Sequence, residues 1–98
     1  NVRRQERAIR DGLEAINRDL DLFSEVRGRG LMLGAVLKPA HADKAGEILD
    51  RAAANGLLLL QAGPDVLRFV PALNIGDGDI AEGLVRLRRA LDAYIAAA

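Results

Sequence analysis

The chain contains few side chains that could act as nucleophiles. It has no cysteine and no threonine, and Ser24 and His41 are its only serine and histidine. A Ser–His pair would need both side chains to meet in space and a third group to orient the imidazole. We expect instead a strand-edge Ser24 and a solvated loop His41. One histidine with scattered carboxylates is also poor material for a metal site, so we predict no catalytic residue and no metal ligand here.

Arg68 is the residue whose type and position most suggest a binding role. It interrupts the apolar segment Val66-Leu67-Arg68-Phe69-Val70. In a strand, alternation puts its side chain on the side of Val66 and Val70, opposite Leu67 and Phe69. A guanidinium can hold a carboxylate through two parallel hydrogen bonds, which predicts a carboxylate site. The alternative from spacing alone is an edge-strand arginine that pairs with an Asp or Glu of a helix.

The segment Arg27-Gly28-Arg29-Gly30 is a second unusual pattern. Glycines at alternate positions allow positive φ or the close approach of another chain. They are equally compatible with a tight turn between two strands. The segment is not a nucleotide-binding GxGxxG motif, since the third glycine and the following helix are missing.

The apolar spacing predicts the elements that must position these residues. Helices are expected over residues 2–20, 42–54 and 77–96, with Gly56 ending the second one in the left-handed conformation. Strands are expected over residues 23–27, 31–37, 57–60 and 66–70, with a turn at 63–65. The predicted buried stripes are Ile9, Leu13, Ile16 and Leu20; Ala45, Ile48, Leu49 and Ala52; and Ile80, Leu84, Leu87, Leu91 and Ile95. The opposite side of the first helix, which carries Arg10, is expected to be solvated.

The predicted order is helix, strand pair, helix, strand pair, helix. It indicates an α+β fold with a small mixed or antiparallel sheet and helices packed on one face. The 98 residues are enough for one domain, and half of them are apolar.

Composition excludes several classes of partner. The 14 basic and 14 acidic residues cancel, and only three residues are aromatic, so neither a nucleic-acid nor an anionic-membrane interface is expected. No apolar run approaches the length of a membrane span. The absence of cysteine fits a cytoplasmic location. Because no initiator methionine is present, we expect the chain to begin inside a longer one.

Three segments together resemble the class III (ornithine-type) aminotransferases, and specifically their acetylornithine branch. Residues 23–34 resemble the "VRG-x-GLM-x-G" strand, residues 55–63 the "GLLVL-x-AG" segment, and residues 66–75 the "VVRF-x-P-x-LNI" strand. The chain departs from the family pattern at residues 76–79, where Gly-Asp-Gly-Asp replaces the usual Ser or Thr cap of the last helix. Glycine caps with a small penalty, so the resemblance stands.

The resemblance implies the C-terminal small domain of a fold-type I, pyridoxal-phosphate-dependent homodimer. In that family the cofactor lysine and the phosphate-binding loop belong to a large domain. Lys38 and Lys44 match no family motif, so the chain alone is expected to be inactive and to bind no cofactor. In that family the arginine of the "RF-x-P" strand binds the substrate α-carboxylate, so the resemblance implies this role for Arg68. Arg27 matches a motif near the active-site entrance without a defined role.

The implied reaction moves the terminal amino group of N-acetylornithine to 2-oxoglutarate, as in arginine biosynthesis. Two alternatives stay open at this point. One is an aminotransferase for succinylornithine or another ω-amino acid. The other is a non-enzymatic α+β module that binds small carboxylates or another protein.

Overall fold

The computed structural model describes residues 2–29, 32–69 and 76–97, with residues 2, 29 and 77 described by their backbone alone. These parts of the chain form three α-helices, a four-stranded sheet and one 3₁₀ turn. In chain order the elements are α1 (Val2–Leu20), β1 (Phe23–Arg29), β2 (Met32–Leu37), the 3₁₀ turn (Pro39–His41), α2 (Ala45–Ala54), β3 (Leu60–Gln61), β4 (Val66–Phe69) and α3 (Asp77–Ala97).

The sheet is antiparallel throughout, with the strand order β1-β2-β4-β3. Two pairs are formed by strands that are neighbours along the chain, β1 with β2 and β3 with β4. Hydrogen bonds between β2 and β4 join these two pairs into one sheet. Those two strands are separated along the chain by the whole of α2. The α+β prediction is therefore confirmed, and the sheet is of the antiparallel kind.

The helices pack on one face of the sheet and share a single core with it. The alternate residues Leu33, Ala35 and Leu37 of β2 are buried on that face, as is Leu67 of β4. The helices contribute the following buried apolar side chains to the same cluster: Ile9, Leu13, Ile16, Ala45, Ile48, Ile80, Leu87, Leu91 and Tyr94. One layer of helices on one face of a sheet leaves the other face without a helical cover.

The predicted start of α2 and the predicted third strand both need correction. Residues 42–44 form turns rather than helix, because a 3₁₀ turn begins at Pro39, where the proline ring fixes φ. The strand expected over residues 57–60 is limited to Leu60–Gln61. Leu57 is committed instead to the end of α2: its N–H donates to the carbonyl of Ala52 at 2.9 Å, while the N–H of Gly56 donates to Ala53 at 3.0 Å.

This pair of hydrogen bonds is the Schellman cap of a helix. Gly56 has φ +78°, as predicted for a glycine that ends a helix. The cap satisfies two carbonyls that α2 would otherwise leave open, and it holds Leu57 out of the sheet.

The first strand is longer than predicted. Gly28 does not interrupt β1, which continues to Arg29 with Gly28 at φ +109° and in register with Leu33. Gly30, the last residue of the predicted glycine segment, and Leu31, the first residue of the predicted second strand, lie outside the described residues. So do Val70, the predicted last residue of β4, and residues 71–75.

The last turn of α3 also differs from the prediction. Ile95 is 39% exposed, whereas Tyr94 is 3% exposed and lies in the core. A helix has 3.6 residues per turn, so a position three residues after Leu91 faces the same neighbours as one four residues after it. Among the described residues, no helix combines the length and apolarity that crossing a membrane requires.

Candidate functional site

Arg68 lies at the centre of the sheet rather than at its edge. Its cross-strand neighbours are Gly34 on β2 and Leu60 on β3. Leu67 before it is fully buried under the helices, and Phe69 after it is half-buried against the same core. The side chain of Arg68 is exposed, so it projects from the opposite side of the sheet, as alternation predicted.

The alternative interpretation of Arg68 is wrong in two respects. β4 is flanked on both sides and is not an edge strand. Within the described residues Arg68 forms neither an ion pair nor a side-chain hydrogen bond, and the helices that carry most of the carboxylates lie on the other face. Its guanidinium therefore presents all of its donors away from the helical layer.

We call the side of the sheet away from the helices the open face. The strand register places the following described residues on it: Glu25, Arg27, Met32, Gly34, Val36, Leu60, Val66 and Arg68. The open face carries two large apolar side chains that are well exposed, since Met32 and Leu60 are each 58% exposed.

Four residues form one row across the open face. The register pairs Arg27 of β1 with Gly34 of β2, Gly34 with Arg68 of β4, and Arg68 with Leu60 of β3. Gly34 supplies no side chain between the two arginines. The sequence contains a signal for Gly34, because a glycine inside a strand often marks the close approach of a ligand or another backbone. The pairing of β2 with β4, which places Gly34 beside Arg68, is visible only in the fold.

A Cβ atom at Gly34 would meet Val66 Cγ1 at 3.2 Å and Arg27 Cγ at 4.0 Å. The space above Gly34 is thus bordered by Val66 and by the stem of Arg27. A methyl group there would already press on Val66, because 3.2 Å is shorter than an ordinary contact between two carbon atoms.

The position of Arg27 is fixed by a residue of α1. Arg10 Nη1 donates to the carbonyl of Val26 and Arg10 Nη2 to the carbonyl of Gly28, both at 2.8 Å. The two bonds hold the backbone on either side of Arg27. Arg10 was expected in a solvated helix face, and it departs from that prediction because it is half-buried. The other charged residues of that face are exposed as predicted: Arg3, Arg4, Arg7, Asp11, Glu14 and Arg18. The long side chain of Arg10 reaches over the strand edge, which helical spacing alone does not reveal.

The turn between α1 and β1 is held by Asn17. Its Oδ1 accepts hydrogen bonds from the N–H groups of Leu22 and Phe23 at 2.8 Å, and its Nδ2 donates to the carbonyl of Phe23 at 2.9 Å. This role of Asn17 was not predicted from the sequence, although asparagine side chains often form hydrogen bonds with the nearby backbone. It sets the start of the strand that carries Arg27.

Ser24 and His41 have different partners and do not form a pair. Ser24 Oγ donates to the carbonyl of Val36 at 3.3 Å. His41 is half-buried, with Nδ1 at 2.6 Å from Tyr94 Oη and the two rings edge to face. The expectation of a solvated His41 is therefore wrong, because Tyr94 of α3 reaches the loop that follows β2.

Burial raises the pKa of Tyr94, and the nearby carboxylates Glu47 and Asp43 raise it further. The phenol thus keeps its proton in the folded chain, which leaves an O–H group for the contact with His41. The contact joins α3 to the 3₁₀ turn and serves the fold.

The two lysines are also accounted for within the fold. Lys38 forms an ion pair with Asp21 beside the turn that precedes β1. Lys44 is the residue at which α2 begins. Neither belongs to a strand of the sheet.

Comparison with known proteins places this arrangement in a family. The family profile of aminotransferase class III matches residues 1–91. The acetylornithine aminotransferase of Xanthomonas campestris pv. campestris is 68% identical over 96 residues, which cover 98% of this chain and 24% of that protein. The chain thus spans about a quarter of the length of such relatives.

Solved structures agree with the sequence comparison. The crystal structure of N-acetylornithine aminotransferase from Stenotrophomonas maltophilia K279a superposes with a TM-score of 0.98 at 65% identity, covering all of this chain and 27% of that one. The ornithine aminotransferase of Toxoplasma gondii ME49 shares the fold with a TM-score of 0.86 at 23% identity, covering 99% of this chain and 23% of that one. The chain belongs to the class III aminotransferase family.

Proposed function

We propose that this chain is the C-terminal small domain of a longer class III aminotransferase, with the large catalytic domain on chain outside these 98 residues. Two observations support the proposal. The relatives are about four times as long as the matched segment. The open face exposes Met32 and Leu60, and a covering domain would bury them.

We further propose that the whole protein transfers the terminal amino group of N-acetylornithine to 2-oxoglutarate. The donor leaves as the semialdehyde, and the acceptor takes the amino group in place of its keto oxygen and leaves as glutamate. Support comes from the names of the relatives at 68% and 65% identity. In this proposal the chain serves arginine biosynthesis as part of a cytoplasmic homodimer.

Arg68 is proposed to bind a substrate carboxylate. The observation that carries this proposal is its place in the fold: a central strand, an exposed side chain, the face without helices, and no ion pair to any described carboxylate. A carboxylate held by two parallel hydrogen bonds has a fixed orientation, so the reacting end of the substrate would point to one place in the cleft.

The class III family depends on pyridoxal phosphate, and the residues described here do not fit the role of holding it. The family attaches the cofactor to a lysine. Lys38 is paired with Asp21, and Lys44 is the N-cap residue of α2. We therefore assign the cofactor to the large domain and assign to this chain the binding and orientation of the substrate.

The experiment uses the full-length protein that contains this segment. Arg68→Gln removes the charge and the forked donors, and Arg68→Lys keeps the charge alone. We expect kcat/KM for N-acetylornithine and 2-oxoglutarate to fall roughly 10- to 100-fold in Arg68→Gln, the size of a lost hydrogen-bonded charge pair. Arg68→Lys should recover part of the loss. Relative rates on N-acetylornithine, succinylornithine and γ-aminobutyrate test the choice of donor.

Arg51→Gln is a matched control, because Arg51 lies on α2 and pairs with Glu47 at 3.4 Å. It removes one arginine from the helical side and should leave both values of kcat/KM within about twofold. Unchanged kinetics in Arg68→Gln would reject the carboxylate role. A faster reaction with γ-aminobutyrate than with N-acetylornithine would reject the proposed donor.

A further inference from the structure

The two edge strands of the sheet differ in length. β1 spans seven residues, Phe23–Arg29, whereas β3 spans two, Leu60–Gln61. An edge strand presents N–H and C=O groups that a strand of another chain can bond, and a long edge presents more of them than a short one. Among the described strands, β1 is therefore the edge that offers most to a further strand.

The backbone carbonyls of Val26 and Gly28 lie on the free edge of β1. In an antiparallel pair, alternate residues direct both their N–H and their C=O groups to the partner strand, and the residues between them direct these groups outward. Val26 and Gly28 are two positions apart, and both of their carbonyls accept hydrogen bonds from Arg10. Since β2 is the one described strand that pairs with β1, these carbonyls point away from the sheet.

Arg10 occupies this edge from within the same chain. Its Nη1 and Nη2 donate to the two carbonyls at 2.8 Å, which is the length of a charge-assisted hydrogen bond. These carbonyls are also the acceptors that a neighbouring strand would use. An incoming strand must displace the guanidinium before it can pair, so Arg10 competes with it directly.

The charges of β1 favour a second copy of the same strand as the partner. In a two-fold antiparallel pair centred on Val26, Glu25 of each copy lies opposite Arg27 of the other, and opposite charges in this position stabilise a sheet. Within one chain the two side chains are 56% and 59% exposed and form a weak ion pair at 3.7 Å, so both can turn to a new partner. A pair centred on Arg27 would instead place two arginines opposite each other, which is unfavourable.

We propose that the free edge of β1 is a strand-pairing surface that Arg10 keeps closed, and that release of Arg10 lets two copies of the chain associate through their β1 strands. The pair would join two four-stranded sheets into one antiparallel sheet. A contact between two single strands is small, so the association is weak and one competing side chain is sufficient to suppress it. The inference is independent of the role of Arg68.

The test uses sedimentation velocity of the full-length protein at a series of concentrations. Arg10→Met removes the donors and keeps a long side chain that favours a helix. We expect it to associate beyond the wild-type assembly, with a dissociation constant about tenfold lower than that of the wild type, the size of one lost charged hydrogen bond. Arg7→Met is the matched control, because Arg7 is exposed one turn earlier on α1, and it should sediment as the wild type does. Wild-type sedimentation of Arg10→Met, or equal association of Arg7→Met, overturns the inference.

Two substitutions in β1 separate strand pairing from unspecific aggregation. In the Arg10→Met protein, Glu25→Arg places an arginine opposite Arg27 of the second copy and should return sedimentation to that of the wild type. Adding Arg27→Glu makes the facing charges opposite again and should restore the association. If Glu25→Arg leaves the association unchanged, the copies do not meet through β1 in this register and the proposal is wrong.

Hydrogen exchange of the backbone locates the contact. The N–H groups of Val26 and Gly28 share the outward direction of their carbonyls, so pairing would bury them in new hydrogen bonds. In Arg10→Met, the peptide covering residues 23–29 should exchange more slowly at high protein concentration than at low concentration. Exchange in this peptide that does not depend on concentration, while the protein associates, would show that another surface is used and would refute the inference.

Discussion

Gly56→Ala should destabilise the folded chain by a large fraction of its stability. Gly56 ends α2 at φ +78°, where a Cβ atom clashes with the backbone at a cost of about 1 kcal/mol. The new methyl group would also overlap Arg86 Nη1, which donates to the carbonyl of Gly56 at 3.1 Å. Arg86 is flexible and can move, but the move breaks this hydrogen bond, worth about 0.5–1 kcal/mol at an exposed site.

The two terms together lower the free energy of unfolding by about 1.5–2 kcal/mol. For a domain of this size, 1 kcal/mol corresponds to roughly 4–5 °C in melting temperature, so we expect a decrease of about 8 °C. Thermal unfolding of the 98-residue chain, followed by circular dichroism, measures it.

Gly46→Ala is the matched control on the same helix. Gly46 is exposed near the start of α2, has no positive φ, and a Cβ there would meet only Gln61 Oε1 at 3.8 Å. The same chemical change should therefore leave the melting temperature unchanged or raise it by a few degrees, since alanine favours a helix by about 0.5–1 kcal/mol. If Gly56→Ala and Gly46→Ala have the same melting temperature, the left-handed backbone at Gly56 is not the source of the expected destabilisation.

Three further outcomes are expected. Because the raised pKa of Tyr94 favours the protonated phenol in the folded state, its contribution to stability is complete below about pH 10 and is lost as pH rises through the folded pKa. Tyr94→Phe should remove this contribution to the loss of unfolding free energy at alkaline pH, measured by urea unfolding at a series of pH values. If the pH dependence of the unfolding free energy is the same in Tyr94→Phe as in the wild type, Tyr94 is not its source. Leu13→Ala, at a fully buried position of α1, should cost about 3 kcal/mol, measured by urea unfolding, and a loss below 1 kcal/mol would mean that the core is poorly packed. Pyridoxal phosphate added to the isolated chain should produce no new visible absorption band, and a stoichiometric band would place a cofactor lysine at Lys38 or Lys44.

Local spacing was sufficient to predict that three helices form, although the start of α2 had to be corrected to Ala45. In α1 the intervals of three and four between Ile9, Leu13 and Ile16 predicted its bounds and its buried side, and all three residues are buried. The same rule failed at the end of α3. There Tyr94 and Ile95 both lie close to the side that faces the core. Tyr94 is the one that is buried, because it packs against His41.

Competition between elements was not visible in the sequence. Leu57 belongs to an apolar run that predicts a strand, but its N–H is used in the cap of α2. Arg10 belongs to a charged helix side that predicts solvent, but its donors reach two carbonyls of β1. In both cases a hydrogen bond to a different element outweighs the local pattern.

The candidate site was predictable in part. Alternation gave the direction of the Arg68 side chain correctly. Its position in the middle of the sheet was not predictable, because β2 and β4 pair across the whole of α2 and such long-range pairing leaves no local pattern. The row that places Arg27, Gly34 and Arg68 side by side could not be predicted for the same reason, since it also depends on the pairing of β2 with β4.

The most direct measurement of the central claim is a crystal structure of the full-length protein with bound glutarate. The account predicts a carboxylate on the open face, held by the Arg68 guanidinium through two parallel hydrogen bonds of about 2.7–2.9 Å. A structure in which glutarate binds elsewhere, while Arg68 pairs with an Asp or Glu of the covering domain, would contradict it.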